Sequence, residues 1–190
     1  MGVLVPWHET LVNQHAAGTS FGTFTTAKTV INPQALHTIP AGWFVPGKKL
    51  RITVRGGLSN IVTTPGTITF QVMIGSVIAF TTGAIQLNAT AHTNLPFKLV
   101  IDLVCRAVGN STNANLMGMA EVIGVMFTNT AGQTDGANTN TAKNVPATAP
   151  AVGTGFDSTI ANILDFFAGF SISDAGNAVK IEDYLVEALN

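Results

Sequence analysis

The sequence contains little charge. Lys, Arg, Asp and Glu make up 10% of its 190 residues, whereas soluble globular domains average about 25%. Together with a mean hydropathy of +0.37, this would give a lone monomer an unusually apolar surface. We therefore expect neighbouring subunits to cover much of that surface.

Long hydrophobic runs are also missing, which argues against a membrane as the cover. A transmembrane helix needs about 20 consecutive apolar residues, and the apolar stretch 77–87 is interrupted at Thr81–Gly83 and again at Gln86. The first nine residues have neither the basic segment nor the apolar core of a signal peptide. We expect synthesis in the cytoplasm without export.

The shortage of cysteines and of clustered cations argues against a disulfide-stabilised protein and against a nucleic-acid-binding protein. The single cysteine, Cys105, cannot form an intrachain disulfide, and its place in an alternating apolar run predicts a small core side chain. The formal net charge is -1, and the densest basic group is a short one at residues 48–55. The sequence therefore predicts no nucleic-acid interface.

What the sequence does contain is alternation of apolar and polar residues, the pattern of half-buried strands. Residues 48–55, 67–74 and 97–108 alternate in this way, and residues 116–127 are apolar almost throughout, as in a strand covered on both faces. No helical segment separates these strands. The sequence predicts an all-β protein, a single jelly-roll-like antiparallel β-sandwich, and excludes parallel α/β folds.

The sandwich is predicted to span residues 21–190, and two segments are predicted to lie outside its strands. Residues 1–20 show no sustained period and are interpreted as an extended N-terminal arm. Residues 128–155 are rich in Thr, Asn, Ala, Gly and Pro, which predicts one long loop that is exposed or follows an intersubunit seam. Residues 178–189 fit a strand and also a helical face; we favour the strand.

The segments of the chain also follow an informative order. A basic strand PGKKLRI begins at Pro46, and the hairpin TITFQVMIGSVIAFTTGAIQLNA follows Pro65-Gly66. Next come the strand NLPFKL, the turn GNSTN leading into LMGMAEV, and the terminal YLVEALN. Over residues 35–190 this order resembles virion structural proteins of tailed bacteriophages, of the jelly-roll decoration or cement type, although residues 166–184 are more aromatic. The resemblance implies a trimer, a virion location and no catalytic residues.

The residues that could carry chemistry are not arranged as a site. The segment Gly42–Lys48 has the G-x-x-x-x-G-K spacing of a phosphate-binding loop, but Lys49 follows in place of Ser or Thr and Pro46 removes a backbone donor. The histidines are far apart, and the neighbouring carboxylates Glu182 and Asp183 are expected on opposite faces of a strand. We predict that the protein is not an enzyme and takes no cofactor and no metal.

Aromatic residues provide the candidate interface: Trp7, Trp43 and Phe44. Trp43 and Phe44 lie between turns at residues 40–42 and 46–47. Two interpretations stay open for them, since they could stack on a partner or cap one end of the sandwich.

These predictions lead to a function hypothesis. The chain is expected to form a homotrimer at the capsid surface of a virion after synthesis in the host cytoplasm. There it would bind the major capsid protein or other virion proteins, and neither nucleic acid nor membrane. The outer faces of residues 97–108 and 116–127 are expected to be covered in the assembly. The alternatives are a minor tail or head-tail structural protein, and a carbohydrate- or receptor-binding module of the particle.

Overall fold

The computed structural model describes residues 8–61, 64–128 and 141–189. In these ranges the chain forms β-strands, one turn of 3-10 helix at Pro33–Ala35 and no α-helix. The strands are β1 (His8–Asn13), β2 (Phe21–Gly22), β3 (Lys28–Thr29), β4 (His37–Ile39), β5 (Lys49–Asn60), β6 (Thr67–Ile74), β7 (Val77–Thr81), β8 (Ile85–Gln86), β9 (His92–Ala107), β10 (Asn115–Gly124), β11 (Thr141–Val145), β12 (Asn162–Phe170) and β13 (Ala178–Leu189).

Two antiparallel sheets face each other. The larger sheet has the order β1-β13-β5-β9-β10-β11, with β2 beside β13; the smaller has the order β3-β12-β6-β7, with β4 beside β12 and β8 beside β6. Alternate side chains of the long strands point between the sheets, among them the fully buried Val54, Phe70, Leu99 and Phe166. The prediction of an all-β antiparallel sandwich is confirmed.

The long alternating segments became strands because each has one apolar face to bury. In β9, residues Phe97, Leu99, Ile101, Leu103 and Cys105 are all at most 4% exposed, so Cys105 is a core side chain as predicted. Residues 178–189 form a strand, which confirms the favoured alternative. This strand pairs with β5 over its full length, and these cross-strand contacts decide between two periods that the sequence alone leaves open.

A β-bulge in β13 changes the prediction for its two carboxylates. The register against β5 shifts between Ile181 and Asp183, and the core residues Ile181 and Tyr184 flank the two acidic residues. Glu182 and Asp183 therefore lie on the same solvent side, where Glu182 pairs with Lys180 and Asp183 with Arg55, both at 2.7 Å. The expectation of opposite faces was wrong because it assumed an unbroken pleat.

The predicted N-terminal arm contains an edge strand. Residues 8–13 pair antiparallel with β13, and Val12 is 8% exposed. A short edge strand needs few apolar positions because backbone hydrogen bonds to β13 hold it, so it carries no sustained period. Of the predicted arm, residues 1–7 lie outside the described residues.

Gln14 fastens the chain beyond this edge strand. Its side chain is 7% exposed; Nε2 donates to the carbonyl oxygen of Ile181 at 3.3 Å, and Oε1 accepts from the backbone N–H of Asn32 at 3.2 Å. The carboxamide thus joins the larger sheet to the segment that leads into the 3-10 turn.

We expect Gln14→Ala to lower the free energy of unfolding by about 1–3 kcal/mol, because it removes two hydrogen bonds and leaves the part-buried N–H of Asn32 without its partner. The carbonyl oxygen of Ile181 still accepts from the N–H of Gly18 at 2.7 Å. Asn13→Ala is the matched control, since Asn13 is exposed, and it should change stability by less than about 0.5 kcal/mol. Urea unfolding followed by circular dichroism measures both. Equal effects of the two substitutions would contradict this role for Gln14.

The predicted loop 128–155 is not one loop. Residues 141–145 form β11 along the edge of β10, and the backbone N–H of Gly153 donates to the carbonyl oxygen of Leu116 at 2.8 Å. A Cβ at Gly153 would collide with the carbonyl oxygen of Ala79 in the opposite sheet. The loop prediction was wrong because main-chain bonds and close backbone approach need no apolar side chains. Residues 129–140 lie outside the described residues.

A buried phenol marks the centre of the core. Tyr184 is fully buried, with its ring centroid 5.9 Å from that of Phe166, and its hydroxyl has no hydrogen-bond partner among the described residues. Burial, with a smaller contribution from Asp165, holds the pKa of the Tyr184 phenol well above its ordinary value.

Removing the Tyr184 hydroxyl should not lower the stability of the fold. Tyr184→Phe keeps the ring and deletes a buried polar atom that gains no protein hydrogen bond, so we expect stability to stay constant or to rise by up to about 1 kcal/mol. Thermal unfolding at fixed protein concentration measures the change. A loss of about 1 kcal/mol or more would contradict an unpartnered hydroxyl.

Candidate interface site

Loops at one end of the sandwich are joined through Ser158. We call this region the loop end, and it comprises residues 40–48, 108–114 and 157–161. Ser158 is 4% exposed. Its carbonyl oxygen accepts from the N–H of Gly42 at 2.8 Å, its own N–H donates to the carbonyl oxygen of Gly109 at 2.9 Å, and its Oγ accepts from the N–H of Gly109 at 2.9 Å. Hydrogen bonds within the chain therefore fix the backbone of the loop end.

Asp157 adds a second connection within the loop end. Its carboxylate accepts from the N–H and the hydroxyl of Thr159, at 2.8 and 2.6 Å. These bonds, with one from the backbone of Ser111, hold the pKa of the Asp157 carboxyl below its ordinary value. The carboxylate of Asp157 thus holds the turn at residues 157–159 in place.

An aromatic stack lies under the loop end. Phe44 is 4% exposed and contacts two rings edge to face, Trp43 at a centroid distance of 5.1 Å and Phe156 at 5.2 Å. Its ring therefore contacts other core rings rather than solvent. Of the two interpretations left open for Phe44, the geometry favours a cap on the sandwich.

Trp43 is only partly buried, and a lysine covers one face of its ring. Lys48 Nζ lies 3.6 Å from the ring centroid and donates to the carbonyl oxygen of Trp43 at 3.3 Å, a cation-π arrangement. Burial lowers the pKa of the Lys48 ammonium, and Glu9 partly opposes this shift. Lys48, the lysine of the G-x-x-x-x-G-K segment, therefore contacts Trp43. Trp7, the third candidate, lies outside the described residues.

The loop end exposes aliphatic side chains that the sequence pattern did not single out. Val45 is 53% exposed, Val108 41% and Ile160 54%. Single apolar residues in loops belong to no period, so periodicity could not find them. The available signal was their position beside turn residues, as in Val45-Pro46-Gly47. Apolar side chains on a backbone fixed by hydrogen bonds form a surface that a partner can bury at little entropic cost.

The outer face of the larger sheet differs from the apolar face that was predicted. Several of its charges are paired within the chain: Arg51 binds both carboxylate oxygens of Asp102 at 2.7 and 2.9 Å, and Arg55 binds Asp183 at 2.7 Å. The outward residues of β9 are half-buried or exposed, and Met119 of β10 is 52% exposed. The ion pairs make part of this face polar, and its covering by neighbouring subunits stays a prediction.

The outer face of the smaller sheet carries little free charge. Asp165 is half-buried; its Oδ1 accepts from Thr29 Oγ1 at 2.7 Å and from the N–H of Phe166 at 2.6 Å. Burial raises the pKa of the Asp165 carboxyl, and both hydrogen bonds partly offset this. Lys28, on the edge strand β3, lies over the rings of Phe21 and Phe24 at 4.8 and 4.4 Å.

Residues 8–61, 64–128 and 141–189 bring together no group of three His, Cys, Asp or Glu side chains that could hold a metal ion. Over the same ranges, no helix has the length and apolar character to cross a membrane.

Comparisons with known proteins give little further information. No protein-family model matches the sequence, and no curated protein matches it. Among solved structures, the chain is similar to the CBM2 module of the evolved Dit of Lactobacillus casei BL23 phage J-1, with 10% sequence identity, a TM-score of 0.39 and coverage of 97% of each chain. At this TM-score the similarity carries no argument about function.

Proposed function

We propose that this chain is a non-enzymatic structural protein of a phage virion that forms homotrimers, binds the head lattice at the capsid surface and stabilises it. The observation that carries the proposal is the loop end: Val45, Val108 and Ile160 are exposed on loops that Ser158 holds in place. The resemblance in segment order supports the virion setting. The low charge of the chain supports extensive burial by neighbours.

The binding mechanism follows from elementary energetics. Burying apolar surface contributes about 25 cal/mol per Å², and loops that are already ordered lose little conformational entropy on binding. A protein that binds only the assembled lattice stabilises that lattice by mass action. The proposed role therefore needs a preformed apolar surface and no catalytic group.

Binding to particles tests the proposal. Purified particles of the phage that encodes the chain are incubated with the chain and sedimented, and the bound copies are counted. We expect copies in the hundreds, while a few copies per particle would indicate the alternative, a minor tail or head-tail protein. The double variant Val108→Asp/Ile160→Asp should abolish binding, because it would bury two carboxylates in an apolar contact.

Met119→Asp is the matched control, since Met119 is equally exposed but lies on the larger sheet, away from the loop end. It should bind particles like the unmodified chain. Circular dichroism confirms that all variants keep the β fold. If the loop-end variant binds normally while Met119→Asp does not, the interface lies on the larger sheet and the proposal is wrong in its choice of surface.

A further inference from the structure

A groove runs along the outer face of the smaller sheet and shares no lining residue with the loop end. Its volume is about 370 Å³. The floor is Gly169 of β12, which pairs with Thr69 of β6. One wall is formed by Thr25 and Ala27, from the segment before β3, and the other wall consists of Thr67, Thr69 and Gln71.

The segment that forms one wall lies close to the sheet because residue 169 is glycine. A Cβ at Gly169 would lie 3.1 Å from the Cα of Ala27 and 3.2 Å from its Cβ, so a larger residue would push the wall segment outward. Beside Gly169 in the same strand, the next outward side chain is the partly exposed Phe167, which pairs with Gln71 on one side and Thr29 on the other. Phe167 is not part of the groove lining, but its register opposite Gln71 places it beside the groove on the same face of the sheet.

The polar groups of this groove are uncharged and available. The side chains of Thr25, Thr67, Thr69 and Gln71 form no hydrogen bond to another described residue. Thr67, Thr69 and Gln71 occupy every second position of β6, so their side chains are about 6.8 Å apart along the strand. Hydroxyls and a carboxamide can each donate and accept. The array therefore suits a ligand that also presents both donors and acceptors.

Charge excludes several other ligands. The described residues that line the groove include no charged side chain. An anionic or a cationic ligand would therefore find no opposite charge in that lining. A peptide that adds a strand needs a free sheet edge, whereas this groove lies on a face.

We propose that the groove binds a neutral polysaccharide, with sugar hydroxyls bonded to Thr67, Thr69 and Gln71 and an apolar sugar face against Phe167. This goes beyond the proposed function, because it gives the particle protein a second surface that recognises a glycan. The loop end and the groove use different residues, so either proposal can fail without the other.

The test uses the full chain and named probes. Maltohexaose, cellohexaose, xylohexaose and mannohexaose are titrated into isotope-labelled protein and followed by backbone amide shifts, with heparin hexasaccharide as the acidic comparison. An array of neutral and acidic glycans extends the panel. We expect saturable shifts at the β6 and β12 residues of the groove with at least one neutral glycan, and none there with heparin.

Variants identify the groups responsible. Gln71→Ala and Thr69→Ala should each weaken binding about tenfold or more, the ratio that corresponds to about 1.4 kcal/mol. Thr38→Ala is the matched control, because Thr38 is exposed on β4 of the same sheet but lies outside the groove lining, and it should leave affinity unchanged. Binding of acidic glycans alone, shifts that map elsewhere, or silence across the whole array would overturn the proposal.

Discussion

Phe44→Ala is expected to lower the free energy of unfolding by about 3–5 kcal/mol, the usual cost of truncating a buried phenylalanine. Phe44 is 4% exposed and contacts the rings of Trp43 and Phe156, so the substitution opens a cavity under the loop end. Urea unfolding at fixed protein concentration, followed by circular dichroism, gives the change from the transition midpoint.

The control for Phe44 is its neighbour. Val45 is 53% exposed, so Val45→Ala should alter stability by less than about 0.5 kcal/mol. The pair separates the two interpretations of the aromatic dipeptide: a cap residue affects folding, whereas a residue that serves only an interface affects binding. A fully stable Phe44→Ala protein would show that the ring is not part of the core.

Gly153→Ala should cost about 3 kcal/mol, because the added methyl collides with the carbonyl oxygen of Ala79, and the Gly153 backbone is held by its hydrogen bond to the carbonyl oxygen of Leu116. The comparison is Gly42→Ala. Gly42 has a φ of 70° and open space around it, so that substitution carries only the left-handed strain of about 1–2 kcal/mol.

Thermal or urea unfolding distinguishes these two glycine substitutions. The larger loss at residue 153 would confirm that residues 146–155 pack against the sandwich. If Gly153→Ala is as stable as the unmodified chain, the segment lies away from Ala79. The prediction of an exposed loop would then hold for that segment.

The sequence predicted those parts of the fold in which side-chain periodicity carries the information. Strands β5, β6 and β9 alternate because one face of each is buried, and the buried Cys105 followed from the same pattern. β10 was predicted from its apolar run as a strand covered on both faces, whereas its residues alternate between buried and half-buried or exposed. Strands held by backbone bonds were missed. β1 and β11 are short edge strands that are held by backbone pairing with β13 and β10. Their own side chains follow no pattern that predicts a strand.

The candidate site was only partly predictable. The turns around Trp43 and Phe44 indicated one end of the sandwich, but nothing in the sequence shows that Ser158, more than a hundred positions later, bonds Gly42 and Gly109 there. The groove depends likewise on contacts between distant segments, since Gly169 meets Ala27 only after the sheet has formed. Long-range register decides both features, and a local pattern carries no information about it.

The central claim is that the chain is an assembling structural subunit, and its mass in solution tests this most directly. Light scattering on the purified protein at micromolar concentration should give three times the 19.7 kDa of one chain, since the proposed homotrimer buries much of a surface poor in charge. A stable, soluble monomer at the same concentration would contradict the account.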